Sequence, residues 1–185
     1  MSRNDNVLTQ PAVVLDLDWV REQINLRDLV STMQYLHGQN FTLLPAELEM
    51  ILDDPKEILV GVFDFNHVVS LAQATLVMSP PTWHVLINNV VTHGSYQRLG
   101  LGKRVLAALE SEIKQRWLHD GLRLRRKSGL PPVPRIKMIL TNSLARGNGG
   151  FYQAAGWISR GPDDQKPTIA WYKNLEELSP VPQSK

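Results

Sequence analysis

The sequence predicts a mixed α/β domain, a mostly antiparallel sheet flanked by helices. Three observations lead there. From Glu57 to Thr92 the chain is dominated by β-branched and apolar residues, in runs broken by short polar turns. That pattern marks consecutive hairpin-linked strands. The helix expected over 101–118 then places Val105, Leu109, Ile113 and Trp117 at i, i+4 spacing, an apolar stripe that needs a sheet to cover it. Beyond it strand-like and helix-like runs alternate, so sheet and helices share one core. With 185 residues, 43% of them hydrophobic, the chain can fill such a core and is of ordinary single-domain size.

Each element has a local reason. Residues 1–17 read as a loosely held N-terminal extension, whose apolar run 12–15 can add a strand. Residues 19–23 read as a short strand. Asn25 then stands at a helix N-cap, ahead of Leu29, Val30, Met33 and Leu36, and Gly38 supplies the stop. Pro45 opens a second helix through Leu48, Ile51 and Leu52, which Asp53-Asp54-Pro55 ends. Strands 57–65 and 68–78 follow, with Asn66-His67 as the tight turn between them. Ser79-Pro80-Pro81 interrupts the chain before a third strand, 84–92. After the long helix come a Pro-rich connector (129–134), a strand (136–141), a short helix (151–155) stopped by Gly156, and a last strand (168–172). The domain is expected over 18–178, with a frayed tail at 179–185.

Composition removes several functions. Without cysteine there is no disulfide framework, thiolate zinc site or cysteine nucleophile. The five histidines fall at spacings that match no metal motif, so no metal is expected. No run is long and apolar enough for a membrane helix and the first ten residues lack a signal-peptide core, which makes cytoplasm the default. The net charge of +2 does not suggest a nucleic-acid binder, although Arg116, Arg123, Arg125, Arg126, Lys127, Arg135 and Lys137 gather against Asp120 alone. That cluster lacks interleaved aromatics and reads as a solvated loop.

The chemistry concentrates in Val90–Leu106, VVTHGSYQRLGLGKRVL. A buried strand runs into a loop with Gly94, Gly100 and Gly102, and the amphipathic helix begins at once. Glycines there leave backbone N–H groups uncovered at the positive end of a helix dipole, a natural seat for a pyrophosphate. Lys103 and Arg104 add positive charge. A Walker loop would need Ser or Thr after Lys103, and a dinucleotide fingerprint a third glycine in a first strand–helix unit.

The spacing Gln97-x-x-Gly100-x-Gly102, after an antiparallel meander, resembles the acyl-CoA pyrophosphate loop of the GNAT superfamily of N-acetyltransferases. Val20-Arg21-Glu22 with Asp28-Leu29 is similar to that family's opening. Phe151-Tyr152-Gln153-Ala154-Ala155-Gly156-Trp157 is close to its Phe-Tyr-Glu-x-x-Gly-Phe signature, and Arg146 sits at a frequent family position. The resemblance covers about 150 residues. It implies a GNAT-like acyl-CoA acyltransferase fold, acetyl-CoA as acyl donor, and direct transfer to an amine.

Carried over residue by residue, it implies that the pyrophosphate rests on Gln97, Arg98, Leu99, Gly100, Leu101, Gly102 and Lys103. The pantetheine arm would pair with the strand at Val90 and Val91, where an N–H near Val91 polarises the carbonyl. Arg146 and Asn148 would contact the coenzyme. Tyr152 would protonate the leaving thiolate, or else pack beneath the coenzyme. The family often has Glu-Asn-Val-Val on this strand; here it is Asn88-Asn89-Val90-Val91, so Asn88 stands in place of a general base. His84 and His93 lie nearby and read first as strand-end and loop residues. The acceptor pocket would form from residues 33–41 and 78–83, with Tyr35, His37, Gln39, Phe41 and Trp83 and no acidic cluster.

The partners implied are acetyl-CoA and an amine of a small molecule, amino acid or peptide. Neither membrane nor nucleic acid is among them, and a homodimer is compatible. Two other readings stay open: a catalytically idle acyl-CoA-binding module, and a binder of acidic or nucleic-acid partners through 123–137.

Overall fold

The computed structural model describes residues 7–37, 42–79, 82–120, 127–129, 136–143, 149–162 and 169–175. They form two compact units, one from residues 1–75 and 87–111, the other from 76–86 and 112–185.

The first unit begins with β1 (Val13–Leu15), α1 (Leu17–Gln23), α2 (Leu26–His37) and α3 (Pro45–Asp53). It continues with β2 (Glu57–Asp64), most of β3 (His67–Ser79), the second half of β4 (Thr82–Thr92) and the start of α4 (Leu101–Ile113). The strand order is β1-β2-β3-β4. β1 and β3 flank β2 antiparallel. Contacts between Ser70 and Thr92 and between Gln73 and Asn89 run in opposite directions along β3 and β4, so this pair is antiparallel too. Leu59, Phe63, Val68 and Leu71 of the sheet share a core with Val20 of α1, Leu29, Val30 and Met33 of α2, and Leu48 of α3.

Three expectations change here. Residues 19–23 are helix, not strand. Asp16 caps α1 by accepting the Trp19 N–H at 2.7 Å, and Leu17, Val20 and Ile24 recur at helical spacing. A side-chain cap of this kind is worth about 1 kcal/mol. The hairpin turn lies one residue earlier, at Phe65-Asn66, because Asp64 pairs with His67 and Phe65 takes the positive φ of 52°. Residues 7–15 are anchored rather than loose: Val7 is fully buried and β1 joins the sheet edge. Asn25 caps α2 as expected, accepting the Arg27 N–H.

In the second unit the first half of β4 pairs in parallel with β5 (Ile136–Ser143). β5 pairs antiparallel with β7 (Ile169–Leu175), and β7 with β6 (Ile158–Pro162). β6 was not expected. Gly161 and Pro162 lower its strand propensity, which an edge position tolerates. α5 (Gly149–Ala154) ends at Gly156, whose φ of +80° suits glycine, while Lys173 Nζ donates to the Ala155 carbonyl. The long helix continues through a π-helical stretch, Lys114–Asp120, and its stripe Val105, Leu109, Ile113 and Trp117 is buried throughout.

Candidate functional site

The loop 97–103 lies wholly in the first unit and begins from a fixed base. Tyr96 is buried and its hydroxyl donates to Asp64 Oδ2 at 2.5 Å, tying the loop to the end of β2. His93 Nδ1 accepts the Ser95 N–H, and its ring stacks on Tyr35 with centroids 5.1 Å apart. His93 is therefore a capping residue of the Gly94–Tyr96 turn.

From there the backbone turns through two left-handed positions, Arg98 at φ 65° and Gly100 at φ 79°. Open space lies where a Gly100 Cβ would stand. The first intrahelical bond of α4 runs from the Arg104 N–H to the Gly100 carbonyl, so the N–H groups of Leu101, Gly102 and Lys103 have no intrahelical acceptor. Open space at Gly100, leading into three donors without an intrahelical partner at a helix start, fits a pyrophosphate. Gln97 is exposed, and its amide reaches back to the Thr92 carbonyl at 3.4 Å.

Arg104 has a different task from the one expected. Its guanidinium donates to the carbonyls of Val7, Leu8 and Gln10 at 3.1, 2.8 and 2.7 Å. It clamps the N-terminal segment to α4 and is not a free charge beside the loop. Lys103 is exposed.

On β4, Val90 and Val91 are half-buried, and Val91 packs against the core beneath α1–α3. Asn88 and Asn89 carry a connected polar network. Asn88 Nδ2 donates to Thr75 Oγ1 at 2.6 Å, and Thr75 Oγ1 donates to Glu57 Oε1 at 2.6 Å. In parallel, Asn89 Nδ2 donates to Gln73 Oε1 at 3.1 Å, and Gln73 Nε2 to Glu57 Oε2 at 3.1 Å. Neighbouring residues of a regular strand point to opposite faces. Both asparagines reach side chains on one face of β3, so the alternation of β4 breaks at Asn88-Asn89. Glu57, Gln73, Thr75 and Asn89 were missed from the sequence, because only strand register brings them together.

A cavity of about 540 Å³ opens in the same unit, lined in part by Thr32, Tyr35, Asp64, His67, His93 and Tyr96. Of the acceptor-pocket residues expected, Tyr35 lines it. Gln39 and Phe41 lie outside the described residues, as do the side chains of His37 and Trp83.

Tyr152 belongs to the second unit, on α5. It is buried among Phe151, Trp157 and Trp171, with ring centroids 4.9, 6.1 and 5.7 Å away. Burial pushes its phenol above the usual value of about 10. Arg146 and Asn148 lie outside the described residues, as does most of the basic segment, from which Lys127 is exposed. Among the described residues no group of three histidines or carboxylates could hold a metal ion, and no helix is long and apolar enough to cross a membrane.

Comparison with known proteins agrees with the fold. An aminoglycoside 6'-N-acetyltransferase complexed with coenzyme A matches with a TM-score of 0.57 at 16% identity, over 88% of this chain and 96% of that one. The ribosomal-protein-S18-alanine N-acetyltransferase from Escherichia coli matches at 0.53 and 13%, over 94% and 99%. The PaiA N-acetyltransferase from Thermoplasma acidophilum, in complex with coenzyme A, matches at 0.52 and 10%, over 89% and 99%. No curated protein matches the sequence. The profile of the Acetyltransferase (GNAT) family matches residues 24–125, more than half of the chain. Loop, fold and profile agree, and the chain belongs to the GNAT family of acetyltransferases, for which acetyl-CoA is the acyl donor.

Proposed function

We propose that this protein is a cytoplasmic N-acetyltransferase that moves an acetyl group from acetyl-CoA directly to a primary amine of a small molecule, amino acid or peptide. The observation that carries this reading is the loop 97–103. Its left-handed turn at Gly100 and the N–H groups opening α4, which have no intrahelical acceptor, form a backbone cradle suited to the coenzyme pyrophosphate.

Acetyl-CoA supplies the activated thioester carbonyl. The chain's task is to hold it, orient the amine and manage two protons. Val90 and Val91 are assigned to the pantetheine arm, with a backbone N–H at Val91 as donor to the developing oxyanion. Arg146 and Asn148 keep the coenzyme contact their motif implies. Tyr152 is assigned as general acid, and its burial keeps the phenol protonated across the working pH range, as donation to a thiolate requires.

Asn88 cannot take up the amine proton as a carboxylate would, so that proton leaves to solvent. An alkylamine of pKa about 10.4 is almost wholly protonated at neutral pH, whereas an α-amino group near 7.8 is partly free base. Low-pKa amines are therefore the favoured acceptors, and turnover on alkylamines rises with pH. The structural relatives named for aminoglycoside and ribosomal-protein acetylation show that one fold serves distant acceptors.

The test is coenzyme release from acetyl-CoA across an amine panel, at pH 6 to 9. Amine-dependent release, steepening with pH for alkylamines, is expected. Tight acetyl-CoA binding without release for any amine would reject transfer and leave a binding module.

A further inference from the structure

The network on the α1–α3 face of the sheet has a direction, and Glu57 sets it. An ionised carboxylate only accepts hydrogen bonds. With Glu57 at its end, the Thr75 hydroxyl must donate its one proton at 2.6 Å, and Gln73 must turn its NH₂ toward the carboxylate at 3.1 Å. Thr75 Oγ1 and Gln73 Oε1 are then left as acceptors. Their next partners can only be the NH₂ groups of Asn88, at 2.6 Å, and Asn89, at 3.1 Å. The orientation of both amides follows from hydrogen-bond chemistry rather than from the placement of look-alike atoms. Each asparagine spends its NH₂ on a β3 side chain and keeps its Oδ1 as a spare acceptor. Among the described residues neither Oδ1 has a hydrogen-bond donor.

We propose that Glu57 is a positioning residue for the acceptor amine. Acting through Thr75 and Gln73, it locks Asn88 and Asn89 so that both side-chain oxygens are offered to the N–H groups of a primary amine. This rests on the transferase reading, which places the acceptor beside Asn88. The match is chemical. A neutral primary amine has two N–H groups to donate and a lone pair to keep for attack, and two amide oxygens use the donors while leaving the lone pair free. A carboxylate at position 88 would also remove the proton; an oriented amide only holds the nitrogen. The arrangement thus selects neutral primary amines over their N-methylated counterparts, which bring one fewer donor.

The experiment compares wild type with Thr75→Val, Thr75→Ser and Glu57→Gln on one primary amine and its N-methyl analogue, with acetyl-CoA affinity measured by calorimetry. Val matches the shape of Thr and suits a strand but lacks the hydroxyl; Ser keeps the hydroxyl. Gln at 57 can donate as well as accept, so it unlocks the direction without emptying the space. Thr75→Val and Glu57→Gln should raise KM for the primary amine about tenfold, the worth of one hydrogen bond of about 1.4 kcal/mol. They should leave acetyl-CoA affinity unchanged and shrink the preference for the primary amine. Thr75→Ser should stay within about threefold of wild type. An active wild type with unchanged amine KM in the folded Thr75→Val or Glu57→Gln protein would overturn the proposal while transferase activity stands. Equal losses for amine and acetyl-CoA, or no rescue by Ser, would overturn it in favour of a purely structural network. A wild type inactive on every amine would reject the transferase reading and this assignment with it.

Discussion

Two polar regions of the first unit are built on opposite principles. The loop 97–103 presents backbone donors, and its side chains are largely incidental: Gln97 and Arg98 are exposed, while Arg104 is engaged with residues 7–10. The 57–89 network presents side-chain groups carried on β2, β3 and β4. A backbone cradle tolerates side-chain changes but not a change in dihedral freedom or local charge. A side-chain network behaves the other way round, because each member is defined by the proton it gives or takes. The first kind of site leaves glycines at fixed spacing in a short run. The second leaves nothing contiguous, since Glu57 lies 31 residues before Asn88.

The contrast can be broken most forcefully at Gly100. Gly100→Asp meets no steric obstacle but forces a left-handed residue and sets a carboxylate in the proposed pyrophosphate cradle. Strain of about 1–2 kcal/mol and repulsion of two like charges together should cost about a thousandfold in coenzyme affinity. Calorimetry on the folded variant checks it, and unchanged affinity would remove the loop from the site.

Next in size is Tyr152→Phe, which should lower kcat by roughly ten- to a thousandfold and spare acetyl-CoA affinity. Burial raises the phenol pKa, so the protonated acid persists below the ordinary value of about 10 and is lost only as pH climbs past the raised one. Its loss should therefore add no falling limb to the rate profile below about pH 10. The same linkage makes the neutral phenol's contribution to stability fully present below about pH 10 and diminished above it. A falling limb near neutrality that vanishes in Tyr152→Phe would contradict this.

Arg104→Gln tests the clamp. Losing three charge-assisted bonds to carbonyls should destabilise the fold by about 1–3 kcal/mol and free residues 7–10 to proteolysis, with little change in coenzyme affinity at low temperature. A large loss of affinity in the folded variant would make Arg104 a pyrophosphate ligand after all. The smallest effect is expected at the loop's side chains. Gln97→Ala and Arg98→Asn, which keeps the left-handed position accessible, should each shift coenzyme affinity by less than about fivefold, since the donors there are main-chain groups. A larger shift would mean the loop is not the backbone cradle described.

How much of this was legible in the sequence follows from the same contrast. The long helix, the glycine loop before it, Asn25 as a cap, and the Gly156 stop all depend on residues within a turn or two of one another. Short-range geometry fixes them. The misreading of residues 19–23 was local as well: Asp16 is a ready N-cap and Leu17, Val20 and Ile24 keep helical spacing, but a short apolar run beside Trp19 resembles a strand equally well. The Arg104 clamp joins residues nearly a hundred positions apart and has no local mark.

Register decided the rest. Counting back from the Phe65-Asn66 turn puts Glu57 opposite Ala74, on the wrong face to meet Gln73 and Thr75. The structure inserts one extra residue on β3, Val69, between the pairs Phe63–Val68 and Val62–Ser70, and the shift sets Glu57 opposite Thr75. Side chains alternate with a period of two, so a slip of one residue moves a whole set to the other face. The sequence by itself determined where a glycine loop uncovers backbone donors, because that feature is a stretch of backbone. Only the tertiary structure decided that a carboxylate on β2 is joined through β3 to two asparagines on β4, because the extra residue on β3 and the broken alternation of β4 set which side chains meet.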